Sequence, residues 1–154
     1  EALNNFVAMR QEEGSKLVQD IQNRLEVVER KIQEIKTFSS TLVEEYITKL
    51  EQRVKELMKD KVVDESRIAQ EIVIFSDKCS IEEELTRLDS HMSQFRHLLT
   101  EASPIGKKFD FLVQEMNRET NTIGSKANSI EITNRVIDIK TEIENIREQI
   151  QNIE

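Results

Sequence analysis

Residues 128–154 read NSIEITNRVIDIKTEIENIREQIQNIE. Ile132, Val136, Ile139, Ile143, Ile146, Ile150 and Ile153 recur at alternating steps of four and three. That spacing keeps every one of them on one face of an α-helix and leaves the charged residues on the other. Asn128 with Glu131 has the form of an N-terminal cap. Two readings of the stripe are open. It is the seam of a coiled coil with a partner helix, or one core face inside a bundle; its run to the last residue favours the intersubunit role.

The same period runs through the rest of the chain. Leu17, Ile21, Leu25, Val28, Ile32 and Ile35 form a stripe on a helix over 3–37. Ser39-Ser40-Thr41 reads as a break, and Thr41 with Glu44 as a capping box for a second helix over 42–59. Residues 1–60 are therefore expected to form a helical hairpin or arm. Asp64 is the expected N-cap of a helix over 65–77, and Ser80 with Glu83 that of a helix over 81–100. The latter carries Ile81, Leu85, Leu88, Met92, Phe95 and Leu99. Ser103-Pro104-Ile105-Gly106 is the strong turn signal, and a helix from Lys107 to Ile123 follows it. The fold class is all-α: a long helical hairpin arm, a bundle of amphipathic helices and a C-terminal heptad helix.

Composition agrees and narrows the function. With 34% charged residues, three glycines and one proline, the chain suits long helices rather than a many-stranded sheet. No apolar run approaches the length of about 18 residues that spans a bilayer. No signal peptide is evident, and Cys79 is the lone cysteine, so a cytoplasmic setting without membrane contact is expected. The formal charge of −8 opposes non-specific nucleic-acid binding, which draws on clustered Lys and Arg. Residues 101–126 form the one segment in which acidic and basic groups balance. Zinc-ligand Cys/His pairs, GxSxG, GxGxxG and the Walker loop are absent.

The chemistry-bearing residues fall on two helices. On 81–100, Glu84, Arg87 and His91 form a row at i, i+3 and i+7 beside the apolar stripe, half buried, where pKa values are tuned. On 107–123, Glu115, Arg118, Glu119 and Thr122 share a face, while Asn117, Asn121 and Ser125 form a neighbouring stripe. A salt-bridge ladder accounts for the charges at a few tenths of a kcal/mol per pair. It does not account for the amides, nor for Gly124, which costs about 1 kcal/mol in a helix interior. Asn and Gln suit ribose and base edges or a buried polar network. His97 reads as a surface residue.

The stretch FDFLVQEMNRETNTIGSK, residues 109–126, resembles the signature of the YicC/YloC-like endoribonucleases. DESRIAQE at 64–71, EELTRLDSHMSQFR at 83–96 and the ending IREQIQNIE agree with it in order. The opening EALNNFVAMRQEEGSKL resembles the middle of such proteins, so residues 1–60 are expected to follow a missing N-terminal domain and 61–154 to be the C-terminal helical domain. The resemblance implies an endoribonuclease that hydrolyses single-stranded RNA in bacterial RNA turnover with divalent manganese or magnesium. It also implies a homo-oligomer, a hexameric ring, with other RNA-degradation proteins as further partners. The catalytic candidates are Glu84, His91, Glu115 and Glu119. The same four, with Glu71, are the metal candidates. Arg87, Arg118 and Lys126 are candidates for phosphate, and Asn117 and Asn121 for ribose or base, or for fixing the carboxylates. The alternative from composition is a non-catalytic oligomerisation or adaptor module that recruits another ribonuclease.

Overall fold

The computed structural model describes residues 2–58, 64–101 and 106–151. All regular structure among them is helical: α1 Ala2–Met58, α2 Glu65–Cys79, α3 Glu82–Leu98, α4 Gly106–Lys126 and α5 Ile130–Gln151. The expected turn at 103–105 lies outside the described residues, as do Ile153 and the expected domain division near residue 60.

The expected hairpin within residues 1–59 is corrected. α1 is one helix through Ser39-Ser40-Thr41. The hydroxyls that read as breakers turn back onto their own helix: Ser40 donates to the Thr37 carbonyl at 2.8 Å and Thr41 to that of Phe38 at 3.0 Å. Side chains bonded this way stop competing for capping positions. The antiparallel arm is made instead by the second half of α1 and α2, with the Tyr46 and Phe75 rings stacked at 3.6 Å. Asp64 caps α2 as expected, accepting from the backbone N–H groups of Ser66 and Arg67. The other two expected caps differ. α3 begins after Ile81 with no side-chain cap, because Glu83 is paired with Arg87 rather than folded back towards Ser80. α5 is capped by Ser129, one residue beyond Asn128; its hydroxyl accepts from the Ile132 N–H at 3.4 Å.

The remaining helices and the first half of α1 share one core. Ile21, Leu25, Val28, Ile32 and Ile35 of α1 are fully buried together with the α5 stripe from Ile132 to Ile150. The two helices run antiparallel: Arg24 pairs with Glu142, Lys31 with Asp138 and Glu34 with Arg135. The isoleucine seam is thus filled from within the chain, which corrects the intersubunit reading for the described residues. Burying these six β-branched side chains contributes on the order of 10 kcal/mol at about 2 kcal/mol each, before the entropy of ordering the helix.

α3 and α4 close the four-helix bundle. Leu85, Leu88, Met92 and Phe95 of α3 meet Phe109, Leu112, Met116 and Ile123 of α4 in the same core, with the Phe95 and Phe109 ring centres 4.6 Å apart. Gly124 has a packing cause. A Cβ there would stand 3.1 Å from Cγ1 of Val136, so the residue lets α4 and α5 approach closely. No described helix is long and apolar enough to cross a membrane.

Candidate functional site

α3 and α4 are antiparallel neighbours, so residues late in one face residues early in the other. Ion pairs fix the register: Arg87 lies beside Glu119, and Glu84 beside Lys126. One turn further along α3, His91 falls opposite the Glu115–Glu119 face of α4. A ligand atom from each of His91, Glu115 and Glu119 lies within 4.8 Å of the others. These three were expected separately from two helices, and the bundle brings them together.

Burial and bonding distinguish the cluster from a surface ladder. Glu119 is 3% exposed, whereas Glu115 and His91 are half-buried. Nδ1 of His91 is buried without a hydrogen-bond partner. A buried polar atom left unpaired costs about 1–3 kcal/mol. A cation held between the imidazole and the two carboxylates would remove that cost and the repulsion between the acids. The residues therefore fit a divalent ion. A mixed nitrogen and oxygen donor set suits manganese better than magnesium, which prefers all-oxygen surroundings.

Cations rim the cluster. Arg87, half exposed, reaches the buried Glu119 carboxylate at 3.5 Å and also pairs with Glu83 on its own helix. Glu83 first, then Glu119, raise the guanidinium pKa against the opposing effect of desolvation. Arg118 stands 3.8 Å from Glu115 and is largely exposed. Asn117 is half-buried and Asn121 exposed on the adjoining stripe.

Two candidates fall outside the three-residue set. Glu84 is buried, but its Oε1 accepts a 2.7 Å hydrogen bond from Lys126 Nζ. Burial pushes its carboxyl pKa up; the Lys126 bond, a backbone N–H and the charges of Lys126 and Arg87 outweigh that and hold it below the ordinary value. Lys126 is accordingly committed to Glu84 rather than free for phosphate. Glu71 is exposed on the arm, where it accepts from the Tyr46 hydroxyl at 3.3 Å. It belongs to α2, which packs on the far half of α1, and it does not join the cluster. His97 is exposed, as read from the sequence. Sequence reasoning missed Phe111. It lies off the buried stripe of Phe109, Leu112 and Met116, and that offset was the signal for an exposed aromatic.

The arrangement defines a class: an all-α protein in which two bundle helices bring together a histidine and two carboxylates, rimmed by arginines. The family described as "Endoribonuclease YicC-like, C-terminal" matches residues 35–154. The chain belongs to the YicC-like endoribonuclease family. It is 51% identical over 155 residues to a protein of Clostridioides difficile strain 630 named "Probable endoribonuclease YicC", covering 100% of this chain and 53% of that protein. It is 34% identical over 152 residues to a protein of the same name from Haemophilus influenzae, covering 99% and 52%. The chain spans about half the length of the curated relatives it matches.

Proposed function

We propose that this chain is the catalytic helical part of a cytoplasmic endoribonuclease that hydrolyses phosphodiester bonds in single-stranded RNA and acts in bacterial RNA turnover. The observation that carries the reading is the convergence of His91, Glu115 and Glu119 within 4.8 Å, with a buried, unpartnered imidazole nitrogen. The family and the relatives' names support the reaction class.

In this reading His91, Glu115 and Glu119 hold a divalent cation, manganese in preference to magnesium. When bound, the ion supplies charge neutralisation at the phosphate and Lewis-acid activation of the attacking oxygen. Arg118, exposed beside Glu115, binds a non-bridging phosphate oxygen. Arg87 keeps the buried Glu119 carboxylate neutralised in the metal-free protein and turns to phosphate when Glu119 is engaged elsewhere. Asn117 and Asn121 bind ribose hydroxyls or base edges. The Glu84–Lys126 pair fixes the end of α4 against the start of α3 and so sets the register that brings His91 to the two carboxylates.

The net charge of −8 means that phosphate affinity is concentrated at this groove or supplemented by assembly. A homo-hexameric ring, and contacts with other RNA-degradation proteins, belong to the same proposal. The same charge favours the second reading, a helical adaptor that recruits a separate nuclease. Manganese titration by isothermal calorimetry separates the two. Wild type binds one ion per chain, and Glu119→Gln and His91→Ala lose that binding while keeping helical content. No manganese binding by wild type overturns the metal-centred reading, and if RNA cleavage is absent as well the adaptor reading replaces it.

A further inference from the structure

Resting on the RNA reading above, we infer that Phe111 and the pocket beside it form a nucleobase-stacking subsite next to the metal cluster. Phe111 is 57% exposed and is the one aromatic among the large exposed hydrophobic side chains of the described residues. Solvating an aromatic ring is unfavourable, and none of the ring contacts found within the described chain involves it. It borders a pocket of about 440 Å³ between α3 and α4, floored by Leu98 and Leu112 and flanked by Gln94, Lys107 and Lys108.

Position ties this pocket to the cluster. Lys107, Phe111, Glu115 and Arg118 follow one another at steps of four, four and three, so they lie along one face of α4. On α3, Gln94 is one turn beyond His91 on the same side. Along this face of α4 a cation, an aromatic ring, a carboxylate and a second cation therefore follow in order. One turn of α4 separates Phe111 from Glu115, a rise of roughly 6 Å. That is about two base steps at 3.4 Å each, a short reach for a single strand.

The chemistry selects an unpaired base rather than a second protein surface. Base faces stack on exposed aromatic rings without regard to sequence, and lysines beside the ring meet the attached phosphate. A protein interface would bury a wider apolar patch, with charge excluded from its centre. Here lysines stand at the edge of a single ring. Glu101 draws on Lys108 at 3.5 Å and on His97 at 3.9 Å, so the phosphate contact is assigned to Lys107.

The chain has no tryptophan, so Phe111→Trp gives it a single tryptophan reporter, at the subsite. The titration is run in EDTA with a short oligouridylate, and in parallel with a ribose-phosphate oligomer of equal length lacking bases. The expected result is quenching by the oligouridylate and none by the abasic strand. Phe111→Ala should weaken oligouridylate binding about tenfold, and Phe111→Tyr should retain it. Equal quenching by both strands, or unchanged affinity in Phe111→Ala while wild type binds RNA, overturns the subsite alone. A changed oligomer mass in Phe111→Ala with RNA affinity intact also overturns it and makes the ring an interface residue. Failure of the wild type to bind the oligouridylate both in EDTA and with manganese restored overturns the RNA reading and the subsite together.

Discussion

Arg87 reaches from the exposed side of α3 to the buried carboxylate of Glu119 on α4, 3.5 Å away. The contact joins the two helices beside the His91, Glu115 and Glu119 cluster. It places a permanent positive charge against the carboxylate of one of the three clustered residues. A cation entering the cluster competes with that guanidinium for Glu119.

Arg87→Gln removes the competitor and also one proposed phosphate contact. Manganese should bind the variant a few-fold more tightly than wild type, because the carboxylate no longer exchanges one cation for another. RNA cleavage should nevertheless fall by about tenfold or more, since a contact made to phosphate in the transition state is lost. Calorimetry and single-turnover cleavage read the two effects separately. Weaker manganese binding in the variant would show that Arg87 orders the site instead of competing for it.

The Glu84–Lys126 pair gives a pH signature. Glu84's carboxyl pKa is held below its ordinary value in the folded chain. Its contribution to stability is therefore complete above the unfolded-state value, near pH 4.3, and is lost as pH falls through the lower folded value. Lys126→Met removes the partner of a buried carboxylate. The expected loss is about 2 kcal/mol at neutral pH, less than for a fully enclosed pair because the Lys126 side chain is 36% exposed. The gap between variant and wild type, measured by urea unfolding, should narrow as pH falls, first as the buried Glu84 of the variant, no longer held down by Lys126, takes up a proton, and then as Glu84 of the wild type does. A gap independent of pH would mean that Lys126 acts through packing alone.

Gly124 is held by contact. Gly124→Val places a branched side chain where even a Cβ would meet Val136 at 3.1 Å. Overpacking of this kind costs about 1–3 kcal/mol, and the melting temperature should fall by roughly 2–4 °C for each kcal/mol. A double variant that also carries Val136→Ala should recover most of the loss. Destabilisation that Val136→Ala does not relieve would point to a cause other than the approach of α5.

The apolar periods of α3, α4 and α5 were legible in the sequence because residues at three- and four-residue steps share one face of a helix. The break assigned to Ser39–Thr41 was not real, because the same hydroxyls that cap a helix also bond within one; the choice depended on Phe38 and Leu42 packing against the core. The partner of the Ile132–Ile150 seam was equally hidden, since heptads do not say whether the facing helix belongs to the same chain. At the site, the row Glu84–Arg87–His91 and the pair Glu115–Glu119 were each visible along one helix. The antiparallel register that sets His91 against both acids, and gives Lys126 to Glu84, arises between helices and leaves no trace in spacing. Gly124 stood out as costly for a helix, but the cause, Val136, lies on another element.

The proposed metal centre of a ribonuclease comprises His91, Glu115 and Glu119. It is tested most directly by incubating the purified protein, free of contaminating nuclease, with end-labelled single-stranded RNA in manganese, in magnesium and in EDTA. Glu115→Gln/Glu119→Gln, prepared identically and matched in helical content, runs alongside. Cleavage by wild type that is fastest in manganese, absent in EDTA and lost in the double variant is the predicted result. Cleavage of equal rate by both proteins, or in EDTA, would contradict it.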